Sequence, residues 1–301
     1  MTDLLSDYLQ SCLEHHTDAV LEKFVHHLEL KFSNSISSVL FYGSCMRSRV
    51  YHDAMLDFYV VVDNYKDAYN HTLTSIANKL LPPNVYYLQV EHDNQVYRSK
   101  YAVVSKKDLL KNVSASAFHS YFWARFTQPI SYAYIREENE KQWIATIQCQ
   151  SAKTFFKNVM PVLQDQHNSE QLWVRGLQLT YSAELRTETS KRAISIYQSN
   201  QAYYDKISEY FFESELHNNT IDSRQKFSQI SWKLRVLTGK VLSILRLMKA
   251  SMTFANGVDY IAWKIERHTG EKIEVSNNLR KYPWIFSWPM LIRLYLSGKI
   301  R

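Results

Sequence analysis

The chain has 301 residues, a formal net charge of +7 and only six glycines, where average usage of roughly 7% would give about twenty. Those glycines (Gly43, Gly176, Gly239, Gly257, Gly270 and Gly298) stand singly along the chain, which excludes the glycine-rich phosphate loops of the dinucleotide-binding, kinase and P-loop kinds. With 46% hydrophobic and 22% charged residues, the composition is that of a globular protein of about two domains, and the positive charge favours an anionic partner without naming one.

Cys12, Cys45 and Cys149 are odd in number and far apart, so they form neither a disulfide framework nor a zinc ribbon. The opening MTDLLSDYLQ carries Asp3 and Asp7 and no early Lys or Arg, unlike a signal or transit peptide. No apolar run approaches the roughly 20 residues of a membrane span. The expected location is the cytoplasm, with peripheral attachment to the cytoplasmic face of a membrane.

In chain order, residues 1–32 carry apolar positions at helical spacing (Leu5, Leu9, Leu13, then Leu21, Phe24, Leu28) and predict one or two amphipathic helices. Ile36–Tyr42 and Met55–Val62 are short β-branched and aromatic runs, read as buried strands. Lys66–Leu80 is predicted helical and broken by Pro82-Pro83. Val85–Glu91 and Gln95–Val104 are read as strands around the turn His92-Asp93-Asn94. Lys106–Asn112 and Ala115–Phe126 are predicted helical, and Ser131–Ile135 a last strand. Beyond Arg136 long helical stretches follow, at 137–160, 170–187, 191–213, 228–250 and 258–268. The fold class is therefore α+β. A mixed-sheet domain over residues 1–135 would precede an all-helical domain over 136–301.

One segment has an order with chemical use: a strand ending Tyr42-Gly43-Ser44, a short connection, then a strand carrying Leu56-Asp57-Phe58. A glycine at a strand end lets the backbone approach a phosphate, the Ser hydroxyl and adjacent N–H groups can bond triphosphate oxygens, and an Asp on the neighbouring strand can hold Mg²⁺. An ordinary Gly-Ser turn beside an edge carboxylate has the same residues. Cys45, next to the turn, reads as a passive small side chain, because no His/Asn arrangement marks a cysteine enzyme.

The run Tyr42-Gly43-Ser44, Ala54-Met55-Leu56-Asp57-Phe58 and Val61-Val62-Asp63 resembles the mitochondrial-type phosphatidate cytidylyltransferases. These are the CDP-diacylglycerol synthases of the translocator assembly and maintenance family, within the nucleotidyltransferase superfamily. Val85-Tyr86-Tyr87, Lys100-Tyr101-Ala102-Val103-Val104, Asp108-Leu109-Leu110, Ala124-Arg125-Phe126 with Gln128-Pro129, and Leu179-Thr180-Tyr181-Ser182 through Glu184 and Arg186 resemble further blocks in the same order. The resemblance implies a nucleotidyltransferase-like head that moves CMP from CTP to phosphatidic acid, with Asp57, Ser44 and Lys100 in catalysis and Asp57 on Mg²⁺. It also implies nucleotide contacts from Tyr42, Gly43, Ser44 and Arg125. The superfamily usually sets two carboxylates two residues apart on the metal strand, whereas here Tyr59 holds the second place. Asp63 lies about 20 Å further along an extended strand, which leaves Asp53, Glu91 and Asp93 as candidates for a second ligand.

Counter-charge for phosphatidate is assigned to Arg186, Lys191, Lys233 and Lys240. Lys226, Lys233 and Lys240 recur every seven residues and so share a helix face, which is either a solvated row or a phosphate-facing one. Arg235, Arg246 and Lys249 fall on the opposite face, where anionic headgroups are an alternative partner. The aromatic stretch Tyr282–Leu296 fits either an interfacial membrane segment or a segment docked in the protein's own core. The expected partners are thus CTP, phosphatidic acid and an anionic membrane surface, with no nucleic acid. A different acceptor (RNA, a small molecule or a protein) and a catalytically dead nucleotide- or lipid-binding scaffold are the alternatives.

Overall fold

The computed structural model describes residues 2–69, 72–163, 168–184, 190–215, 222–253 and 276–277. Its elements run α1 (Thr2–Ser11), α2 (Ala19–Phe32), β1 (Ile36–Tyr42), α3 (Ser44–Ser48), β2 (Met55–Val62), α4 (Tyr65–Ala68), α5 (Thr72–Leu80), β3 (Asn84–His92), β4 (Gln95–Ser105), α6 (Lys106–Val113), α7 (Trp123–Phe126) and β5 (Ser131–Ile135). The helices α8 (Asn139–Val159), α9 (Ser169–Ser182), α10 (Ser190–Ser199), α11 (Gln201–Glu215) and α12 (Asp222–Thr253) follow. The fold is α+β: one five-stranded mixed sheet with helices, then a helical C-terminal region.

The sheet order is β3-β4-β2-β1-β5, with β2 parallel to β4 and the other neighbours antiparallel. The central β2 is flanked on both sides and covered on both faces, which is why MLDFYVVV reads as a near-continuous apolar run rather than an alternating one. Alternate residues divide between two cores. Leu56, Phe58, Val60 and Val62 join β1 and β4 side chains under α2, whose Phe24, Leu28 and Phe32 complete that layer. Tyr59 and Val61, with Leu40, Ala102 and Val104, face the second cluster, built with Trp123, Phe155, Trp173 and Tyr204. That second cluster crosses residue 135 without interruption, and α1 joins it through Leu5 and Leu9.

Local chemistry sets several boundaries. Asp18 caps α2 by accepting from the Val20 and Leu21 N–H groups at 3.0 and 2.9 Å, and Ser105 caps α6 through the Asp108 N–H. The β3–β4 hairpin turns on Asp93 and Asn94 alone, both at positive φ (50° and 58°), as a tight two-residue turn requires.

Three expected helices are shorter or divided. The Lys66–Leu80 stretch forms α4 and α5, separated by Tyr69 in an extended conformation. The Tyr69 hydroxyl is drawn inward to accept from Asn78 Nδ2 at 2.9 Å. Of Ala115–Phe126 only α7 is helical; α6 before it ends at Ser114, which leaves the helical region and whose hydroxyl donates to the Lys111 carbonyl at 2.8 Å. The 191–213 stretch breaks at Asn200 into α10 and α11, where Ser199 Oγ and Asn200 Nδ2 occupy the Ser195 and Ile196 carbonyls. The 258–268 helix and the Tyr282–Leu296 segment lie outside the described residues.

Candidate active site

Strand register builds the site. Tyr42 at the end of β1 pairs with Asp57 on β2, Asp57 pairs with Lys100 on β4, and Lys100 pairs with Tyr87 on β3. Opposed residues in adjacent strands share a face, so Tyr42, Asp57, Lys100 and Tyr87 form one row across the sheet, on the side covered by the helical region. Tyr59, two residues beyond Asp57 on that face, is fully buried and stacks on Tyr42 with ring centroids 5.0 Å apart. The place where a second carboxylate would stand is therefore part of the aromatic wall.

Lys100 Nζ lies 3.0 Å from Asp57 Oδ1, the carboxylate mostly enclosed and the amine half-exposed. Asp57 Oδ2 faces Gly43, where a Cβ would come within 2.7 Å of it. Gly43 has φ 89° and ψ −161°, a backbone conformation open essentially to glycine alone. The Gly-Ser turn is therefore the one position at which β1 can end and α3 begin directly over the Asp57 carboxylate. Ser44, first residue of α3, is exposed beside it. Cys45 is buried, its Sγ donating to the Met55 carbonyl at 3.3 Å, and its thiol is pushed up first by burial and then by the Asp57 charge. A thiol held protonated and bonded to backbone is a packing group.

Two arginines that the residue pattern did not single out complete the charge. Arg47 on α3 is half-buried within electrostatic reach of Asp57, Tyr181, Tyr204 and Arg192 on α10. Its guanidinium is lowered from its ordinary range first by burial and then by the Arg192 charge. Neither arginine has a carboxylate partner among the described residues. Lys100 and Arg47 thus stand near a single carboxylate, with Arg192 within electrostatic reach of Arg47, a cationic excess suited to a polyphosphate. Arg47 had a readable signal, one helical turn beyond the Gly-Ser turn; Arg192 had none, its place depending on how α10 packs against α9.

Arg125 lies beside the row and not in it. It forms a two-pronged ion pair with Glu184 (Nη1–Oε1 2.7 Å, Nη2–Oε2 2.8 Å), donates to the Tyr121 carbonyl at 2.6 Å and stacks over the Tyr121 ring at 3.8 Å. Burial opposes its charge, yet the Glu184 carboxylate and the surrounding Tyr121, Tyr59 and Tyr42 hold its pKa above the ordinary value. This pair ties α7 to the end of α9 behind the aromatic wall. Lys191 is exposed at the start of α10, Lys233 and Lys240 are exposed on α12, and Arg186 lies outside the described residues.

The lipid-facing alternative for Arg235, Arg246 and Lys249 is corrected. Arg235 Nη2 donates to Asn158 Oδ1 at 2.8 Å, Arg246 Nε to the Pro82 carbonyl at 3.1 Å, and Lys249 Nζ to the Pro83 carbonyl at 3.0 Å. They face protein because the connection after α5 and the side chain of Asn158 on α8 offer acceptors that α12 itself cannot.

The candidate second metal ligands do not gather. Asp93 forms the hairpin turn, Asp53 pairs with His52, and Glu91 is exposed near the end of β3; Asp63, too far along the strand to join Asp57, is held by Arg136 at 2.6 and 3.0 Å. Among the described residues no group of three or more His, Cys, Asp or Glu side chains could hold a metal ion. Mg²⁺ binds through one or two carboxylates together with substrate phosphates and water. A single carboxylate such as Asp57 is compatible with a cation that arrives with nucleotide phosphates.

In comparisons with known proteins, no family model matches the chain and no curated protein matches it. No helix among the described residues is long and apolar enough to cross a membrane.

Proposed function

We propose that the chain transfers CMP from CTP to phosphatidic acid, forming CDP-diacylglycerol and pyrophosphate. The observation that carries the proposal is the Asp57–Lys100 ion pair under the positive-φ Gly43 turn, with Arg47 on the short helix that follows. The residue resemblance to phosphatidate cytidylyltransferases supplies the substrates.

A phosphatidate oxygen attacks the α-phosphorus of CTP; the new P–O bond forms as the bond to the β-phosphate oxygen breaks, and pyrophosphate leaves with the electron pair. A phosphate monoester is already anionic near pH 7, its second pKa lying near 6, so no protein group need take a proton. The work left to the chain is positioning and charge neutralisation. Gly43 lets the β1–α3 backbone approach the triphosphate, and the Ser44 hydroxyl and N–H donate to its oxygens. Lys100 orients Asp57 and offers its remaining donors to the α-phosphate. Arg47 and Arg192 offset the charge that accumulates on the leaving pyrophosphate. Mg²⁺ held by Asp57 and the nucleotide phosphates would supply further neutralisation there.

The test is purified protein with labelled CTP, Mg²⁺ and phosphatidate in detergent. A lipid-soluble CMP product is expected from the wild type, reduced by at least two orders of magnitude in Asp57→Asn with unchanged circular dichroism. No lipid product from the wild type refutes the proposal. A lone carboxylate already engaged by Lys100 also favours a second reading, a nucleotide-binding scaffold, whose signature is CTP binding without pyrophosphate release.

A further inference from the structure

Helix α12 has two faces of opposite character. Its inner face is bonded to the protein: Trp232 Nε1 donates to the Asn158 carbonyl at 2.9 Å, and Arg235, Arg246 and Lys249 all end on protein acceptors. Its outer face carries Ile230, Leu234, Leu237, Val241, Ile244 and Leu245, from 44% exposed at Leu245 to 63% at Leu237. Steps of four and three residues put these side chains in one stripe, about 22 Å long at 1.5 Å per residue. Scattered surface apolar residues need no explanation, but a continuous stripe of large aliphatic side chains marks a binding surface.

Charge identifies the partner. After Asp222 the helix contains no acidic residue. Because Arg235, Arg246 and Lys249 are turned inward, the charge displayed beside the stripe among the described side chains is that of Lys233 and Lys240, both exposed along one of its edges. The stripe therefore asks for a partner that is apolar within and anionic at its rim. A second copy packed antiparallel about a two-fold axis would bring Lys233 against Lys240 of its mate, like against like. The interface of a bilayer with anionic headgroups meets both requirements at once.

We infer that α12 lies in the plane of an anionic membrane, its Ile230–Leu245 stripe among the acyl chains and Lys233 and Lys240 at the phosphate level. This assigns the two lysines to headgroups of the surface and not to the reacting phosphatidate. The inner face of the same helix passes behind the aromatic wall of the site: a Cβ on Gly239 would lie 2.6 Å from the Ala183 carbonyl, next to the Glu184 that holds Arg125. The inference thus deepens the proposed function and rests on it for the lipid acceptor, since the site would stand one helix away from the surface that supplies it; the binding itself does not depend on that activity.

The full chain is floated with vesicles of phosphatidylcholine, with and without phosphatidylglycerol, an anionic lipid that is not the proposed substrate. Wild type is expected to bind the anionic vesicles at least about tenfold more tightly, with an affinity that falls as salt rises. Leu234→Gln/Leu237→Gln/Val241→Gln should abolish binding to both, and Lys233→Gln/Lys240→Gln should remove the preference for anionic vesicles. Equal flotation of the aliphatic triple variant and the wild type overturns the inference. So does a wild-type dimer in sedimentation velocity that the triple variant converts to monomer, which would make the stripe a contact between copies. CMP transfer to a dissolved short-chain phosphatidate separates the two proposals: it should survive in the triple variant while transfer to vesicle phosphatidate is lost. Its absence in the wild type would refute the enzyme reading and leave the flotation result standing.

Discussion

Gly43 shows how much one residue can be asked to do. Its φ of 89° and ψ of −161° cost a side-chain-bearing residue about 1–3 kcal/mol on backbone grounds, and a Cβ there would also press on Asp57 Oδ2 at 2.7 Å. Gly43→Ala is therefore expected to lower unfolding stability by about that amount and to cut CMP transfer by roughly a hundredfold or more, since displacing Asp57 also breaks its contact with Lys100. Urea unfolding and the transfer assay measure both, and full activity in the variant would place the reaction elsewhere. Arg47 has a different expected signature. If its charge serves the pyrophosphate moiety, Arg47→Ala should raise KM for CTP roughly tenfold and weaken inhibition by added pyrophosphate in parallel. A change in kcat alone would mean that Arg47 only shapes α3. The carboxylate and its glycine were legible in the chain because both sit at ends of strongly β-patterned runs. The ion pair of Arg125 with Glu184 was not, because it joins residues 59 apart through a tertiary contact.

Among the elements, the glycines inside helices mark the closest crossings. Gly176 on α9 lies under the Phe155 ring of α8, where a Cβ would run into Cζ, and Gly239 on α12 meets Ala183 at the end of α9. In a solvent-facing helix, Gly→Ala would gain about 1 kcal/mol from propensity. At Gly239 the contact reverses the sign, because the neighbouring atom is a backbone carbonyl that cannot swing aside. Gly239→Ala should therefore melt at a lower temperature than the wild type, and a higher melting temperature would mean that α12 stands off from α9. Gly176, which has no role readable from the sequence, acquires this packing role. The strands were readable almost to the residue, since Val- and aromatic-rich runs bounded by turns have few alternatives. The helix breaks at Tyr69 and Asn200 were not, nor was the non-helical run 115–122. At Asn200 the Ser199 and Asn200 side chains donate to carbonyls one turn back, bonds that compete with helix continuation and that periodicity does not register, and at Tyr69 the hydroxyl is held by the Asn78 side chain.

At the scale of the whole molecule, the change from strands to helices near residue 135 is a change of secondary structure across which the core stays continuous, Leu9, Tyr59, Trp123 and Phe155 belonging to one cluster. Helix α12 fastens the C-terminal helices back to the sheet through the carbonyls of Leu81, Pro82 and Pro83. This junction is cationic: Lys249 is driven down to about 7 from its ordinary 10.5, first by burial and then by the Arg246 charge, and His119 is lowered by burial, Arg246 and Arg235. For Lys249 the sign follows directly. Between pH 7 and 10.5 the unfolded chain keeps a proton that the folded chain has released, so the folded state gains stability as pH rises through that window. Below it both states are protonated and the full cost of the buried charge remains. Lys249→Met removes the titration while keeping much of the apolar stem. The unfolding free energy of wild type minus that of Lys249→Met should therefore increase steadily from about pH 7 to about pH 9, measured by urea denaturation at constant ionic strength. A difference independent of pH would mean that Lys249 keeps an ordinary lysine charge, that its carbonyl acceptors offset the burial, and that the clasp between α12 and the sheet holds equally at every pH in the range.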